Sequence, residues 1–266
     1  MGSLDAAELT ELIVRPGGLW REVRVLAETG STNSDGLAAA RRGEPEGLVL
    51  VAEVQTAGRG RLDRAWVSGA GAGLTFSVLL RPAAVPPARR TWLPLLAGVA
   101  VVAALAATPG LSVRLKWPND VLASGTAQGK VAGILAEGAA DAVVVGLGIN
   151  VSQGRGELPV STATSVFLAS GVRLARGGLL TAVLAELERW YLAWRDQASP
   201  GDAHACGLHR EYQRWCATLG REVTVMLPDG SVTAGTAVGV DGSGRLELMT
   251  AAGLLALSAG DVVHLR

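Results

Sequence analysis

Apolar and polar positions divide the chain into two unlike stretches. Up to about Leu219, long apolar runs alternate with helical stripes; from Arg221 onward, short β-prone runs follow one another at turn spacing. Leu9, Leu12 and Ile13 recur at helical spacing and predict a short helix within residues 1–20, broken by Pro16-Gly17-Gly18. Val23–Leu26 predicts a strand, after which Ser31 or Thr32 caps a helix running to about Arg42. Leu48–Gln55 and Leu74–Leu80 are strongly β-prone. Between them, Ala57–Gly73 is rich in Gly and Arg and too poor in apolar residues to pack as a regular element, which is the composition of a functional loop. Trp92–Ala107 is apolar all round. With Pro94 inside it and fewer than the ~20 residues that span a bilayer, it predicts a buried helix.

Further strands are expected at Val113–Trp117, near Val121, at Lys130–Ala136 and at Ala142–Ile149. Helices follow over Ser165–Ser170, over Leu179–Arg195 with Leu180, Leu184, Leu187 and Tyr191 on one stripe, and over Gly207–Leu219, stopped by Gly220. Beyond Arg221, the runs Val223–Leu227, Val232–Val240, Leu246–Met249 and Leu254–Leu257 are separated by Pro-Asp-Gly, Asp-Gly-Ser-Gly and Ala-Ala-Gly turns. The expected fold is therefore α+β. Residues 1–219 form one domain with a mixed sheet flanked by helices, and residues 220–266 form a small β-barrel.

Composition narrows the function classes. The 266 residues are 49% hydrophobic and 18% charged, enough apolar material for a substantial core. Basic and acidic residues balance at 24 each, which gives no support to a general nucleic-acid or membrane-surface binder. No targeting segment is visible, and two cysteines, Cys206 and Cys216, fit a reducing cytoplasm rather than a disulfide framework. The cluster His204, Cys206, His209 and Cys216 matches no common zinc spacing, so no metal site is expected there. Among the 24 basic residues only Lys116 and Lys130 are lysine, and Asn33, Asn119 and Asn150 are the three asparagines. In a chain that so disfavours these residue types, the places that keep them are candidates for tasks Arg or Asp cannot perform.

All five fall in segments that stand out for other reasons. Gly58-Arg59-Gly60-Arg61-Leu62-Asp63-Arg64-Ala65-Trp66 lets backbone approach an anion closely, supplies three guanidinium groups for phosphate oxygens, and ends on an aromatic face able to stack. It lacks the Gly-Lys-Ser/Thr ending of a P-loop. Lys116-Trp117-Pro118-Asn119-Asp120 sets an amide beside a carboxylate at a strand end, suited to a ribose or to a metal on a polyphosphate; the same pattern also makes an ordinary Asx turn. Lys130 opens an alternating run through Gly133 and Ile134 to Glu137, and Gly146-Leu-Gly148-Ile-Asn150 ends a strand on small residues that leave room for a flat ligand.

Taken in order, Ser31-Thr32-Asn33, Gln55, the Gly-Arg loop, Lys-Trp-Pro-Asn-Asp, Lys130-x-x-Gly and Gly-Ile-Asn resemble the biotin–protein ligase family, and the module from Arg221 resembles its SH3-like C-terminal domain. The family loop usually reads Gly-Arg-Gly-Arg-x-Gly-Arg; here Asp63 replaces the last glycine. The resemblance implies a catalytic domain like that of class II aminoacyl-tRNA synthetases, and ATP-dependent activation of biotin to biotinyl-5′-AMP. Transfer to a lysine of a biotin carboxyl carrier domain of a carboxylase would follow. It implies ATP with Mg²⁺, and biotin as substrate. Lys130, Arg59 and Arg61 would be catalytic. Ser31, Thr32, Asn33, Gln55, Gly58, Arg59, Gly60, Arg61, Lys130, Gly133, Ile134 and Gly148 would hold biotin. Arg59, Arg61, Arg64, Trp66, Lys116, Asn119, Asp120, Lys130 and Asn150 would hold ATP.

A monomer or ligand-dependent homodimer, cytoplasmic, with neither DNA nor membrane as partner, is the accompanying expectation: some 20 residues before the first strand are too few for a folded DNA-binding unit. The alternatives are a lipoate–protein ligase, which adenylates a different acid, and a non-enzymatic RNA-binding protein using the Gly-Arg loop and the barrel. Without an anion, the loop's arginines repel one another, and a mobile loop is expected.

Overall fold

The computed structural model describes residues 3–61, 64–67, 69–139 and 141–264; Asp63 therefore lies outside the described residues. A seven-stranded mixed sheet carries the larger part. In chain order its elements are α1 (Ala6–Ile13), β1 (Glu22–Thr29), α2 (Thr32–Arg41), β2 (Leu48–Gln55), β3 (Gly73–Leu80), α3 (Trp92–Leu105), β4 (Ser112–Lys116), β5 (Asp120–Ser124), β6 (Gly129–Ala139), β7 (Ala142–Asn150), α4 (Val166–Ser170), α5 (Arg176–Arg195) and α6 (Leu208–Trp215). The strand order is β1-β2-β3-β7-β6-β5-β4, with β1 and β2 parallel and every other neighbouring pair antiparallel.

β3 and β7 are buried along their whole length because both faces of the sheet's centre are covered. Alternate residues go to opposite sides. Val49, Val51, Val78, Leu80, Val143 and Val145 join the main core with α3 and α5, while Leu48, Leu50, Leu79 and Val144 pack with Ala39 and Ala40 of α2. α2 approaches so closely that a Cβ on Gly36 would lie 2.8 Å from Val144. Pro87–Leu105 is long and apolar enough to cross a membrane by composition, yet Trp92 and most of α3 are buried in this core.

Two expectations need correction. Ser31 occupies the N-cap of α2 but makes no side-chain capping bond. α6 ends at Trp215 rather than near Leu219: Cys216 is extended and forms a bridge with Leu115, and Ala217 N–H donates to Leu115 O at 2.7 Å. Pairing with β4 takes the backbone groups that another helical turn would have used.

The C-terminal part is a five-stranded antiparallel sheet of β8 (Glu222–Met226), β9 (Val232–Val240), β10 (Leu246–Thr250), β11 (Gly253–Leu257) and β12 (Asp261–His264), in the order β11-β10-β9-β8-β12. Sequence reading did not anticipate β12, a strand of four residues with one buried side chain, Val262. Indole donors seat this sheet on the larger part: Trp92 Nε1 reaches Gly242 O at 2.9 Å and Trp117 Nε1 reaches Gly244 O at 3.1 Å. Thr218 Oγ1 accepts from Trp117 N–H at 3.1 Å and lies 3.2 Å from His264 Nε2.

His264 reports on this seam. Burial first, then the charges of Lys116 and Arg221, push its pKa from 6.5 down to about 4. The unfolded chain therefore binds a proton that the folded chain refuses between these pH values, so His264 makes stability fall as pH drops from 6.5 towards 4. His264→Gln should show a shallower loss of Tm across that interval than the wild type; parallel curves would remove His264 from the seam's pH response.

Candidate functional site

One cavity of about 690 Å³ opens where α2, the carboxyl end of β2, β6, β7, the Gly-Arg loop and β12 meet. It is lined by Ser31, Thr32, Asn33, Gln55, Arg59, Gly60, Arg61, Arg64, Trp66, Lys116, Asn119, Asp120, Lys130, Gly133, Ile134, Gly148 and Asn150, so the sequence-predicted residues converge. Gly58 does not line it. Gly58 sits buried at the base of the loop, where its carbonyl accepts from Trp66 N–H at 2.9 Å.

At the α2 end the walls are polar, and Arg59, which donates to Ser34 Oγ at 3.2 Å, is balanced there by Glu137. Gln55 Oε1 accepts from Thr32 N–H at 2.8 Å and lies 3.1 Å from Thr32 Oγ1. Ser77 Oγ, from β3, lies 2.7 Å from Thr32 Oγ1 and 2.6 Å from Asn33 Oδ1. Asn33 Nδ2 donates to Leu135 O at 3.1 Å and to Glu137 Oε2 at 2.7 Å, which fixes its amide with oxygen towards Ser77. The contacts Ser77–Asn33, Ser77–Thr32 and Thr32–Gln55 are three oxygen–oxygen approaches served by two hydroxyl protons. These three contacts are one proton short, and a ligand N–H can supply it.

The middle of the cavity depends on missing side chains. Gly146, Gly148 and Gly133 form the floor on β7 and β6, with Gly148 opposite Gly133. A Cβ on Gly146 would collide with the Asn33 amide, and one on Gly148 with the Trp66 indole; on Gly133 it would lie 3.1 Å from both Lys130 Nζ and Trp66 Cζ3. Trp66 thus lies flat on bare backbone, with its Nε1 buried and without a hydrogen-bond partner among the described residues.

At the far end the walls are cationic. Lys130 Nζ is 2.6 Å from Asp120 Oδ1 and 5.8 Å from the centre of the Trp66 ring. Backbone bonds hold Lys130 on both sides, its N–H to Thr162 O and its carbonyl from Thr164 N–H, each at 2.9 Å. Arg61 Nη1 donates to Asn119 Oδ1 and to Gly260 O, both at 3.3 Å. Burial lowers the Arg61 pKa, an effect opposed by Asp261 and Asp120 and reinforced by Arg64; the group stays a cation. Asn119 Nδ2 donates to Ile134 O at 2.9 Å, and Asn150 Nδ2 donates to Thr164 O at 3.0 Å. Lys130 and Glu137, at the two ends of β6, are roughly 23 Å apart at about 3.3 Å per residue.

Across the Gly-Arg loop, Arg59 and Ala65 form an antiparallel bridge. Protein groups meet its arginines: Arg59 pairs with Glu137 at 3.2 Å and Arg64 with Asp261. A loop whose arginines lack anions was the sequence expectation; Glu137 and Asp261 supply them. Ser77, Glu137 and the β12 residues Asp261, Val262 and Val263 are the site residues that sequence reading missed. Ser77 is hidden in a run that otherwise reads as core.

The model of the biotin/lipoate A/B protein ligase family matches residues 30–152, and that of the biotin protein ligase C-terminal domain matches residues 218–265. The biotin–[acetyl-CoA-carboxylase] ligase of Mycobacterium tuberculosis is 43% identical over 99% of this chain and 96% of its own length. The bifunctional ligase/repressor BirA of Bacillus spizizenii is 35% identical over 87% of this chain and 70% of its own length. Among solved structures, the biotin protein ligase of Aquifex aeolicus in complex with biotin and ATP superposes with a TM-score of 0.74 at 30% identity, covering 92% of this chain and 98% of that one.

Gly148→Ala should expel the Trp66 indole from its place on β7. In ¹⁵N-indole spectra the Trp66 Nε1–H signal, identified by its loss in Trp66→Phe, should shift and exchange with water faster. An unchanged signal would show that the floor tolerates a methyl group and that the close approach carries no constraint.

Proposed function

The chain belongs to the biotin–protein ligase family, and we propose that this cavity joins biotin to AMP and that the protein then passes biotin to a lysine of a carrier domain. The observation that carries this reading is the polarity of the cavity: a polar end of balanced charge at Thr32, Asn33 and Gln55, backed by Ser77, and a cationic end at Arg61, Arg64, Lys116 and Lys130. A ureido group presents two N–H donors to the first end, and a triphosphate matches the second. Biotin's ring and valeryl chain would then run past Gly133, Ile134 and Gly148, against the Trp66 indole that covers Gly148. Trp66, Asn119 and Asn150 would border the adenosine, with Ser31 and Gly60 completing the biotin walls.

The chemical difficulty is bringing a carboxylate to a polyanion. Lys130 addresses it by position, because a compact ammonium beside Gly133, where the floor meets the cationic end, can serve a carboxylate oxygen and an α-phosphate oxygen together. Arg59 and Arg61 add charge from the loop. The carboxylate oxygen bonds to the α-phosphorus, the bond to the bridging oxygen breaks, and diphosphate leaves with the electron pair. In the second step the acceptor lysine's amine attacks the activated carbonyl, AMP departs, and the amine loses a proton. Mg²⁺ would travel with the nucleotide. Asp120 presents a carboxylate to the cavity beside Asn119, a donor set suited to a magnesium ion otherwise held by phosphate and water. Such an ion would neutralise phosphate charge. The acceptor is a biotin carboxyl carrier domain of a carboxylase, and the setting is the cytoplasm, where ATP and carboxylases meet.

Biotin-dependent exchange of labelled diphosphate into ATP tests the first step. Exchange with biotin and none with lipoate is expected; the reverse would give the chain to the lipoate branch of the family. Lys130→Arg should keep the charge yet lose roughly 100-fold or more of the exchange. Near-wild-type exchange in that variant would refute the role given to Lys130.

A further inference from the structure

The cavity's cationic end is completed by the C-terminal sheet, and the contact is specific. Asp261 opens β12 at the edge of that sheet, and its carboxylate pairs with Arg64 of the Gly-Arg loop. One residue earlier, Gly260 O accepts from Arg61 Nη1 at 3.3 Å. Two consecutive residues of the small sheet therefore hold two arginines of the loop, and Asp261 also opposes the loss of charge that burial imposes on Arg61. Its backbone is fixed: Asp261 pairs with Met226 across β8 and β12. Gly260 is itself tightly enclosed, since a Cβ there would collide with Val225.

Both loop arginines need an anion or carbonyl to stay close together, and phosphate is not the sole source of one. We propose that Asp261 is a positioning residue of the adenylation reaction, a carboxylate that takes the place of phosphate on Arg64 and keeps the loop folded over the cavity before nucleotide arrives. This rests on the reading of the loop as the substrate-facing lid. Arg64 is 61% exposed and Asp261 31%, so the pair is weak enough to be exchanged when a polyphosphate enters. The C-terminal sheet thus sets how much of the loop population is already closed when ATP binds.

Limited trypsin digestion of the full-length protein, read as cleavage after Arg59 and Arg61, tests this. Without ligand, Asp261→Asn should be cut roughly three- to tenfold faster than wild type, while Asp261→Glu stays near the wild-type rate. Arg64→Gln should match Asp261→Asn, and the double variant should be no faster than either single one, because both remove the same pair. Biotin with MgATP should return Asp261→Asn to the wild-type rate, as phosphate replaces the lost carboxylate. Wild-type cleavage of Asp261→Asn without ligand would overturn the proposal, as would additive effects of the two substitutions. So would faster cutting that persists with ligand while diphosphate exchange proceeds, the mark of a generally loosened sheet. Absence of exchange in the wild type would instead count against the ligase reading, which the ligand-free rates do not touch.

Discussion

Five cations facing one cavity cannot sit together without negative charge among them, and the rest of the site is arranged around that constraint. Arg59, Arg61, Arg64, Lys116 and Lys130 converge; Arg59 is met by Glu137 from outside the cavity, while Asp120 and Asp261 are the carboxylates that line the same space. Each takes one cation, Lys130 by Asp120 and Arg64 by Asp261. Burial depresses the His264 pKa at the same seam, and the positive charge of Lys116 adds to it. The excess of positive charge defines what the cavity wants: a ligand of several negative charges at one end only. The fold places Lys116 and Lys130 on separate strands, β4 and β6, while the arginines share one loop, where Arg64 disfavours the charge on Arg61.

A second constraint is steric. The slot between the polar and cationic ends exists because Gly133, Gly146 and Gly148 carry no side chains, so that an indole and an amide rest directly on the sheet. A flat surface of backbone between a polar pocket and a cationic one suits an acid with an apolar tail, which must be held along its length while its carboxylate meets the phosphate. β7 is buried at every residue, so the floor is rigid.

Much of this was legible in sequence. The strands β2, β3, β6 and β7 were written in apolar runs bounded by turns, and the scarcity of Lys and Asn pointed to Lys130, Asn33, Asn119 and Asn150 before any contact was known. What stayed hidden shares a physical cause. Ser77 lies in Leu-Thr-Phe-Ser-Val-Leu-Leu, where a single hydroxyl among core residues carries no local sign that it faces Thr32 and Asn33. Glu137 ended a recognised run, but its pairing with Asn33 and Arg59 joins residues 104 and 78 positions away. β12 is too short for periodicity to reveal, so Asp261 could not be placed at the loop. α6 was read too long because its end is set by a tertiary pairing with β4, not by the helix's own residues.

The central claim is that this one cavity condenses biotin with ATP. Mass spectrometry of the protein after incubation with biotin and MgATP tests it most directly. A tightly held biotinyl-5′-AMP should appear together with free diphosphate, and addition of a biotin carrier domain should convert it to AMP and a biotinylated lysine. Release of ADP and phosphate in place of AMP and diphosphate, or no adenylate at all, would contradict the account.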